Sequence, residues 1–232
     1  MFQIKTSSVI FDLDGVISDT ASLHKKAWKI AFNKHIVMQK IKVKKFTYDD
    51  YYLHVDGKPR SNGIDDFFKS RNIIIKKKKN NQISNYKNEI FIKLIKTSNV
   101  SAFNDAVILI KKLKKKKIKI ALASSSRNCR LIIKKLKLDK YFDFICDGSD
   151  LKKLNLPGKP SPHIFKKCFF ALKTKPRFST IIEDSISGVL AAKSSKVKNC
   201  IAIDRKKNFR HLKNAGAEII VKSLLQLCFN KQ

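Results

Sequence analysis

The sequence is poor in acidic residues, glycine and proline, and it has no long apolar segment. Only 18 of its 232 residues are aspartate or glutamate, against 51 lysines and arginines, and it has seven glycines and five prolines. No apolar run approaches the ~20 residues that a membrane-spanning helix needs. The first residues lack the basic start and apolar stretch of a signal peptide. We therefore expect a soluble, cytoplasmic protein with no membrane partner.

The cysteines form no recognisable pair or metal-binding motif. There are five, an odd number, and no two follow the C-x-x-C spacing; they are Cys129, Cys146, Cys168, Cys200 and Cys228. This pattern argues against both a disulfide framework and a zinc site. The motifs G-x-S-x-G and H-E-x-x-H are also absent, so serine-hydrolase and zinc-protease chemistry have no support.

The formal net charge of +33 has two interpretations. A strongly basic chain can bind nucleic acid through its phosphates. However, most of the cations are lysines spread along the whole chain, and runs such as 76–79 and 114–117 contain no aromatic residue or glycine for base stacking. We favour a solvated lysine surface and expect no nucleic-acid partner. A basic binding protein that has lost enzymatic activity is the alternative.

Two patterns of apolar residues divide the chain. Helical spacing dominates residues 20–97, in segments such as SLHKKAWKIAFNKH and QISNYKNEIFIKLIK, with a glycine- and proline-bearing break at HVDGKPRSNG. From residue 98 onward, predicted helices alternate with the predicted strands IKIALA, FDFICDG, STIIEDS and NCIAID. Such alternation is typical of parallel β-α-β units.

The predicted fold class is α/β: a doubly wound parallel-sheet, Rossmann-like core with an inserted helical cap domain. The N-terminal strand SVIF must join the sheet that the later strands form, so the helical section is an insertion. We assign residues 1–19 and 98–232 to the core and residues 20–97 to the cap. The final segment EIIVKSLLQL predicts a last short strand and a helix.

Polar residues follow several of the predicted strands. Open α/β sheets bind ligands beyond the carboxyl ends of their strands, so these residues are expected to converge. Those that follow strands, or lie in a loop between elements, are Asp12, Asp14, Ser124, Ser125, Ser126, Lys159, Glu183 and Asp184.

These residue types together suit phosphoryl transfer. Asp12 and Asp14 are two residues apart, which on an extended strand puts both side chains on one side. A divalent cation would relieve the repulsion at Asp12, with Asp184 as a second ligand, and hard oxygen ligands favour Mg²⁺. Asp14 can act as general acid and base, Ser124 can donate to a phosphate, and Lys159 can balance developing charge. The set predicts an aspartyl-phosphate intermediate.

Four segments resemble the motifs of the haloacid dehalogenase superfamily, and within it the β-phosphoglucomutase-like family: VIFDLDGVISDT, ALASSSRN, GKPSPHIF and IIEDSISGV. The match covers nearly the whole chain. The resemblance implies Asp12 as nucleophile, Asp14 as acid and base, and Ser124 as the ligand of the transferred phosphate. It implies that the pocket is completed by Ser125, Ser126, Arg127, Asn128 and Lys159. It also implies Mg²⁺ near Asp12, Glu183 and Asp184, with Asp14 lending its backbone carbonyl.

The predicted cap carries the narrower resemblance. LHKKAWK contains His24 and Trp28, VDGKPR contains Arg60, and NYKNEIF contains Lys87; all match segments of the β-phosphoglucomutase pattern. The resemblance implies that Arg60 grips the phosphate that is not transferred. It further implies that His24 and Lys87 couple cap closure to the placement of Asp14.

Two activities remain open at this point. The first is a mutase that interconverts β-D-glucose 1-phosphate and glucose 6-phosphate through an aspartyl phosphate and a bisphosphate. The second is a sugar-phosphate phosphatase with the same site, in which water attacks the aspartyl phosphate. In both, the partner is a small-molecule sugar phosphate, and we expect a monomer.

Overall fold

Short strands form a six-stranded parallel sheet in which β2 and β5 are buried throughout, and two further strands pair separately. The strands are β1 (Phe2–Thr6), β2 (Ser8–Phe11), β3 (Lys119–Ser124), β4 (Phe144–Asp147), β5 (Ser179–Glu183), β6 (Asn199–Ile203), β7 (Ile219–Val221) and β8 (Leu227–Lys231). The sheet order is β4-β3-β2-β5-β6-β7, with every pairing parallel. The predicted doubly wound α/β core is confirmed. In this computed structural model, residues 1–205 and 207–232 are described.

Ten α-helices are assigned in those described ranges. They are α1 (Ala21–Met38), α2 (Tyr48–Asp50), α3 (Arg60–Lys69), α4 (Lys77–Thr97), α5 (Asn104–Lys115), α6 (Cys129–Lys135), α7 (Gly148–Lys153), α8 (His163–Leu172), α9 (Ile186–Ser194) and α10 (Phe209–Asn214). A π-helical turn, Tyr51–Val55, follows α2. Among the described residues, no helix is both long enough and apolar enough to cross a membrane.

The chain divides into two units. The core unit comprises Met1–Asp19 and Ser101–Gln232, and the insert unit comprises Thr20–Val100. The predicted boundaries were 19/20 and 97/98, so residues 98–100 lie in the insert unit rather than in the core. Every residue of the insert unit is described, and none lies in a strand.

The register of the sheet brings the ends of its central strands level. Phe11, the last residue of β2, lies opposite Leu122 of β3 and Ile182 of β5. The backbone N–H of Asp12 donates to the carbonyl of Ile182 at 2.9 Å. Residues that follow these three strands therefore leave the sheet at the same edge, as the β-α-β pattern predicts.

The insert unit has its own aromatic core. Phe32 of α1 stacks on Trp28, with ring centroids 5.1 Å apart, and on Phe46 at 4.5 Å. Phe67 and Phe68 of α3 contact the same ring at 4.5 and 5.8 Å. All five rings are almost completely buried, which accounts for the stability of helices whose outer faces are rich in lysine.

The predicted C-terminal helix is wrong. Leu224–Gln226 form a single 3₁₀ turn, capped by the side chain of Ser223, and the chain then continues as β8. β8 pairs in parallel with β1 over five residues, from Phe2–Leu227 to Thr6–Lys231. The two chain ends thus satisfy each other's backbone hydrogen bonds, which outweighs the weak helical preference of EIIVKSLLQL. No local pattern in the sequence indicates that pairing.

Four of the five cysteines are buried, and Cys228 is half-buried. Burial raises the pKa of Cys146 and of Cys200 to about 12. It raises the pKa of Cys129 and Cys168 well above the ordinary value. These four side chains therefore stay protonated at neutral pH and act as small apolar groups of the core.

Candidate active site

Lys159 donates hydrogen bonds to two buried acidic residues at the carboxyl ends of the central strands. Its Nζ donates to Oδ1 of Asp12 at 2.5 Å, to the carbonyl of Ala123 at 3.2 Å, and to Oε1 of Glu183. The Lys159 side chain has no solvent exposure. Burial alone lowers the pKa of a lysine, but Asp12 and Glu183 outweigh that effect and raise the pKa of Lys159 above its ordinary value. The lysine is therefore a permanent positive charge in this site.

Asp12 experiences opposing electrostatic effects. Burial raises its pKa well above the ordinary value; Lys159 lowers that pKa, and the carboxylates of Glu183, Asp184 and Asp14 raise it. The net direction is upward. Only the ionised carboxylate is a nucleophile, and Lys159 offsets only part of the upward shift in the pKa of Asp12. A further cation at this position would lower that pKa.

The donor set fits a hard divalent cation. Asp12, Glu183 and Asp184 are all buried, and each offers a carboxylate oxygen within 4.8 Å of the others. Only one of the three negative charges is matched by Lys159, and oxygen ligands of this kind suit Mg²⁺. Gly15 adopts a positive φ of 89°, and a Cβ at this residue would overlap with Oδ2 of Asp184. The absence of a side chain at Gly15 thus preserves space beside Asp184.

Asp14 lies two residues beyond Asp12 and is half-buried. It pairs with Ser18 through an isolated parallel bridge, and the N–H of Gly15 donates to the carbonyl of Ser18 at 2.9 Å. Asp14 therefore starts a closed turn at the end of β2. Its expected contribution to the metal through its backbone carbonyl stays a prediction.

Ser185 and Gly188 hold Glu183 in place, and the sequence analysis missed both. Oε2 of Glu183 accepts from the backbone N–H of Asp184 at 3.1 Å and from Oγ of Ser185 at 3.2 Å. Ser185 is also the N-cap of α9, where its Oγ accepts from the N–H of Gly188 at 3.1 Å. A Cβ at Gly188 would overlap with the Glu183 carboxylate. A serine just before an apolar helix is a capping signal that could have identified Ser185.

The predicted phosphate-binding residues form a loop after β3. Ser124 ends β3 and is buried, and its Oγ accepts from the N–H of Ser126 at 3.1 Å. Oγ of Ser126 accepts in turn from the N–H of Asn128 at 3.2 Å. Ser125 and Arg127 are half-buried. α6 begins only at Cys129, so the serine side chains themselves order the loop that follows Ser124.

The candidate residues of the insert unit form two pairs. Nζ of Lys87 lies 2.9 Å from Nδ1 of His24, above the rings of Phe91 at 4.3 Å and Trp28 at 5.1 Å. Lys87 is only 1% exposed, and the two aromatic faces and the imidazole contribute to the stabilisation of this buried cation.

Arg60, the first residue of α3, pairs with α4. Its Nη2 donates to Oδ1 of Asn88 at 2.8 Å. Arg60 and Asn88 are both half-buried. The structure thus joins His24, Trp28 and Lys87 in one cluster and places Arg60 beside the next residue of the same helix. Their roles toward a substrate stay predictions.

Known proteins resemble this chain over nearly its whole length. A family model described as haloacid dehalogenase-like hydrolase matches residues 9–202. The β-phosphoglucomutase of Mycobacterium bovis is 30% identical over 240 aligned positions, covering 96% of this chain and 92% of that protein. The phosphorylated carbohydrates phosphatase of Thermotoga maritima is 30% identical over 221 positions, covering 93% of this chain and 94% of that protein.

A solved structure extends the likeness to the fold. The crystal structure of β-phosphoglucomutase from Clostridium difficile superposes with a TM-score of 0.79 and 26% identity, covering 95% of this chain and 92% of that one. The chain therefore belongs to the haloacid dehalogenase-like hydrolase family, among its β-phosphoglucomutase-like members.

Proposed function

We propose that this chain is a Mg²⁺-dependent phosphomutase that interconverts β-D-glucose 1-phosphate and glucose 6-phosphate. The observation that carries the proposal is the buried group in which Lys159 bridges Asp12 and Glu183, with Asp184 alongside. This arrangement supplies a nucleophile, a fixed cation and a set of oxygen ligands at one point. The similarity to the M. bovis β-phosphoglucomutase over 96% of the chain supports the choice of reaction.

In the first half-reaction the enzyme becomes phosphorylated. An oxygen of the Asp12 carboxylate attacks the phosphorus of one phosphate group of glucose 1,6-bisphosphate. The bond from that phosphorus to the sugar oxygen breaks, and the oxygen takes a proton from Asp14. Ser124 donates to the phosphoryl oxygens, and Lys159 balances their charge. The product is an aspartyl phosphate on Asp12 and a sugar monophosphate.

In the second half-reaction the phosphoryl group returns to a sugar. Asp14, now ionised, takes the proton of the 6-hydroxyl of β-glucose 1-phosphate as that oxygen attacks phosphorus, and Asp12 leaves as a carboxylate. The bisphosphate formed turns around and gives its 1-phosphate to Asp12. Glucose 6-phosphate is released, and Asp12 is again phosphorylated at the end of the cycle.

Mg²⁺ would be held by Asp12 and Asp184, with Glu183 nearby and the backbone carbonyl of Asp14 as a further ligand. When bound, the ion reduces the repulsion between the nucleophile and the anionic phosphoryl group. The protein contributes the rest of the charge balance. Lys159 lowers the pKa of Asp12 and so favours the charged form of this buried nucleophile.

Residues of the insert unit would select the mutase substrate. We assign to Arg60 the binding of the phosphate that is not transferred, since a guanidinium can donate two parallel hydrogen bonds to it. Asn88 accepts from Nη2 of Arg60 and so restricts the plane of that group. His24 and Lys87, paired at 2.9 Å, are assigned the coupling of substrate binding to the placement of Asp14, and Trp28 supports Lys87.

A sugar-phosphate phosphatase is the second candidate. The observation that favours it is the 30% identity to the T. maritima phosphorylated carbohydrates phosphatase, over 93% of this chain. The first half-reaction would follow the same steps, with a sugar phosphate as the phosphoryl donor and the dephosphorylated sugar as the leaving group. In the second, Asp14 would take a proton from water instead of a sugar hydroxyl, and inorganic phosphate would leave.

One assay separates the two candidates. The purified protein is given Mg²⁺, β-glucose 1-phosphate and a trace of glucose 1,6-bisphosphate, and glucose 6-phosphate and free phosphate are followed in the same sample. The mutase proposal predicts glucose 6-phosphate in large excess over free phosphate. Free phosphate without glucose 6-phosphate would establish the phosphatase instead. Asp12→Asn is the control, since neither product should form from it.

A further inference from the structure

A turn directly after Asp12 is held from outside by an arginine that no sequence motif identifies. This catalytic turn comprises residues 14–18. Nε of Arg205 donates to the carbonyl of Gly15 at 3.1 Å, and its Nη2 donates to the carbonyl of Val16 at 3.3 Å. Arg205 lies just beyond β6, 190 residues away from Gly15 in the chain. One side chain thus binds two consecutive carbonyls of the turn that begins with Asp14.

Arg205 is itself fixed by an ion pair and by an aromatic ring. Its Nη2 donates to Oδ1 of Asp105 at 2.7 Å, and its guanidinium lies 3.7 Å from the centroid of the Phe103 ring. Oδ2 of Asp105 accepts from Oγ of Ser223 at 3.2 Å and from the N–H of Leu224 at 2.9 Å. The arginine and aspartate side chains are only 18% and 10% exposed.

Phe103, which packs against Arg205, also binds the later part of the catalytic turn. The N–H of Phe103 donates to the carbonyl of Ile17 at 2.8 Å, next to the carbonyls that Arg205 binds. The turn is therefore clamped at three consecutive carbonyls, those of residues 15, 16 and 17. Such clamping matters because Gly15, with its positive φ, could adopt many other conformations.

We propose that Arg205 is a positioning residue that fixes the catalytic turn and thereby the distance of Asp14 from the reacting oxygen. This inference rests on the proposed role of Asp14 as the acid and base of phosphoryl transfer. A guanidinium suits the task because its planar, rigid fork reaches several acceptors at once. A displacement of about 1 Å at a proton-transfer group can lower the rate by about 10²-fold.

The test is the variant Arg205→Met, with Arg71→Met as a closely matched control. Arg71 donates to Asp50 at 2.6 Å, with side chains 17% and 9% exposed, and lies 4.6 Å from the Phe67 ring. Both variants remove a mostly buried, aromatic-backed ion pair, but Arg71 belongs to the insert unit. We expect Arg205→Met to lower kcat by about 10²-fold with KM changed far less, and Arg71→Met to leave kcat near the wild-type value. Equal kcat in both variants, corrected for the folded fraction, would overturn the proposal.

A second variant, Arg205→Lys, keeps the proposal testable if Arg205→Met does not fold. A lysine keeps the pairing with Asp105, but its single ammonium cannot span that carboxylate and both carbonyls. We expect a melting temperature closer to the wild type than that of Arg205→Met, with kcat still lowered by about tenfold. Full recovery of kcat in this variant would show that charge alone suffices and would contradict positioning by the fork.

Hydrogen exchange provides a readout that does not need activity. The backbone amides of peptides covering residues 13–18 should exchange faster in Arg205→Met than in the wild type. In Arg71→Met their exchange rate should equal that of the wild type. Unaltered exchange in Arg205→Met would overturn the proposal even if kcat fell. A wild-type protein without phosphoryl transfer would refute the proposed function instead, and the exchange experiment would still decide whether Arg205 holds the turn.

Discussion

Oδ1 of Asp12 lies 2.5 Å from Nζ of Lys159, and both side chains are buried. In a chain with 51 lysines and arginines, most cations are interchangeable surface groups. Lys159 is different, because it is fully enclosed and shared between two acids. The contribution of Lys159 to the site therefore depends on its burial and its two acidic partners, and not on the net charge of the chain.

Lys159→Met should abolish most of the activity. Without the lysine, three buried carboxylates face one another without the cation that now binds two of them, and Asp12 loses its charge more readily. We expect kcat to fall by about 10²–10³-fold, as it does when a group that stabilises developing charge is removed. Lys166→Met, which removes an exposed lysine of α8, is the control and should behave as wild type. Similar kinetics for the two variants would contradict the role of Lys159.

Mg²⁺ should stabilise the wild-type protein but not Asp184→Asn. The ion would bind the folded site and relieve repulsion among Asp12, Glu183 and Asp184, so tenfold excess over its Kd adds about 1.4 kcal/mol to the free energy of unfolding. Thermal melts with and without Mg²⁺ measure this as a rise in Tm. Chelation should also stop turnover. An equal rise in Tm for Asp184→Asn would place the ion elsewhere.

Gly188→Ala should inactivate the enzyme through Glu183. The added methyl group overlaps with the Glu183 carboxylate, so that side chain must leave its bonds to Lys159 and Ser185. We expect a loss of about 10²-fold in kcat. The control is Gly216→Ala, at a positive φ of 102° beside the flexible side chain of Lys193; it should cost about 1 kcal/mol of stability with little effect on kcat. If Gly188→Ala kept full activity, the described position of Glu183 would not be needed.

Arg60→Ala should separate the use of bisphosphate from simple ester hydrolysis. If Arg60 binds the phosphate that is not transferred, its loss raises KM for glucose 1,6-bisphosphate by about tenfold or more. Hydrolysis of a small phosphate ester with only one phosphate should change little. Asn88→Ala, which removes the acceptor of Nη2, should show a weaker form of the same effect. Equal losses on both substrates would argue against this role for Arg60.

The location of the candidate site could be predicted because it follows from chain topology. Parallel strands end at one edge of the sheet, so residues directly after β2, β3 and β5 had to meet. Asp12, Ser124 and Asp184 were therefore identifiable without knowing any distance. Lys159 was identifiable only as part of a set, since a lysine between glycine and proline is by itself an ordinary turn residue.

The rest depended on contacts between distant parts of the chain. β1 and β8 pair across more than 220 residues, and no local pattern announces such a pairing. The same holds for Arg205, whose partners Gly15 and Asp105 lie 190 and 100 residues away. A lysine-rich sequence with many similar helical segments offers little local information about which cations are enclosed. Burial decides that, and burial is a property of the folded chain.

The most direct test of the account is to trap the phosphoenzyme. The protein is mixed with Mg²⁺ and glucose 1,6-bisphosphate labelled in its phosphates, quenched in acid within one turnover, and digested for peptide mapping. We predict label on the peptide that contains Asp12, and none in Asp12→Asn, whose overall turnover should fall by roughly 10⁴-fold or more. Label on another residue, or turnover in the wild type with no labelled enzyme, would contradict the assignment of Asp12 as the nucleophile.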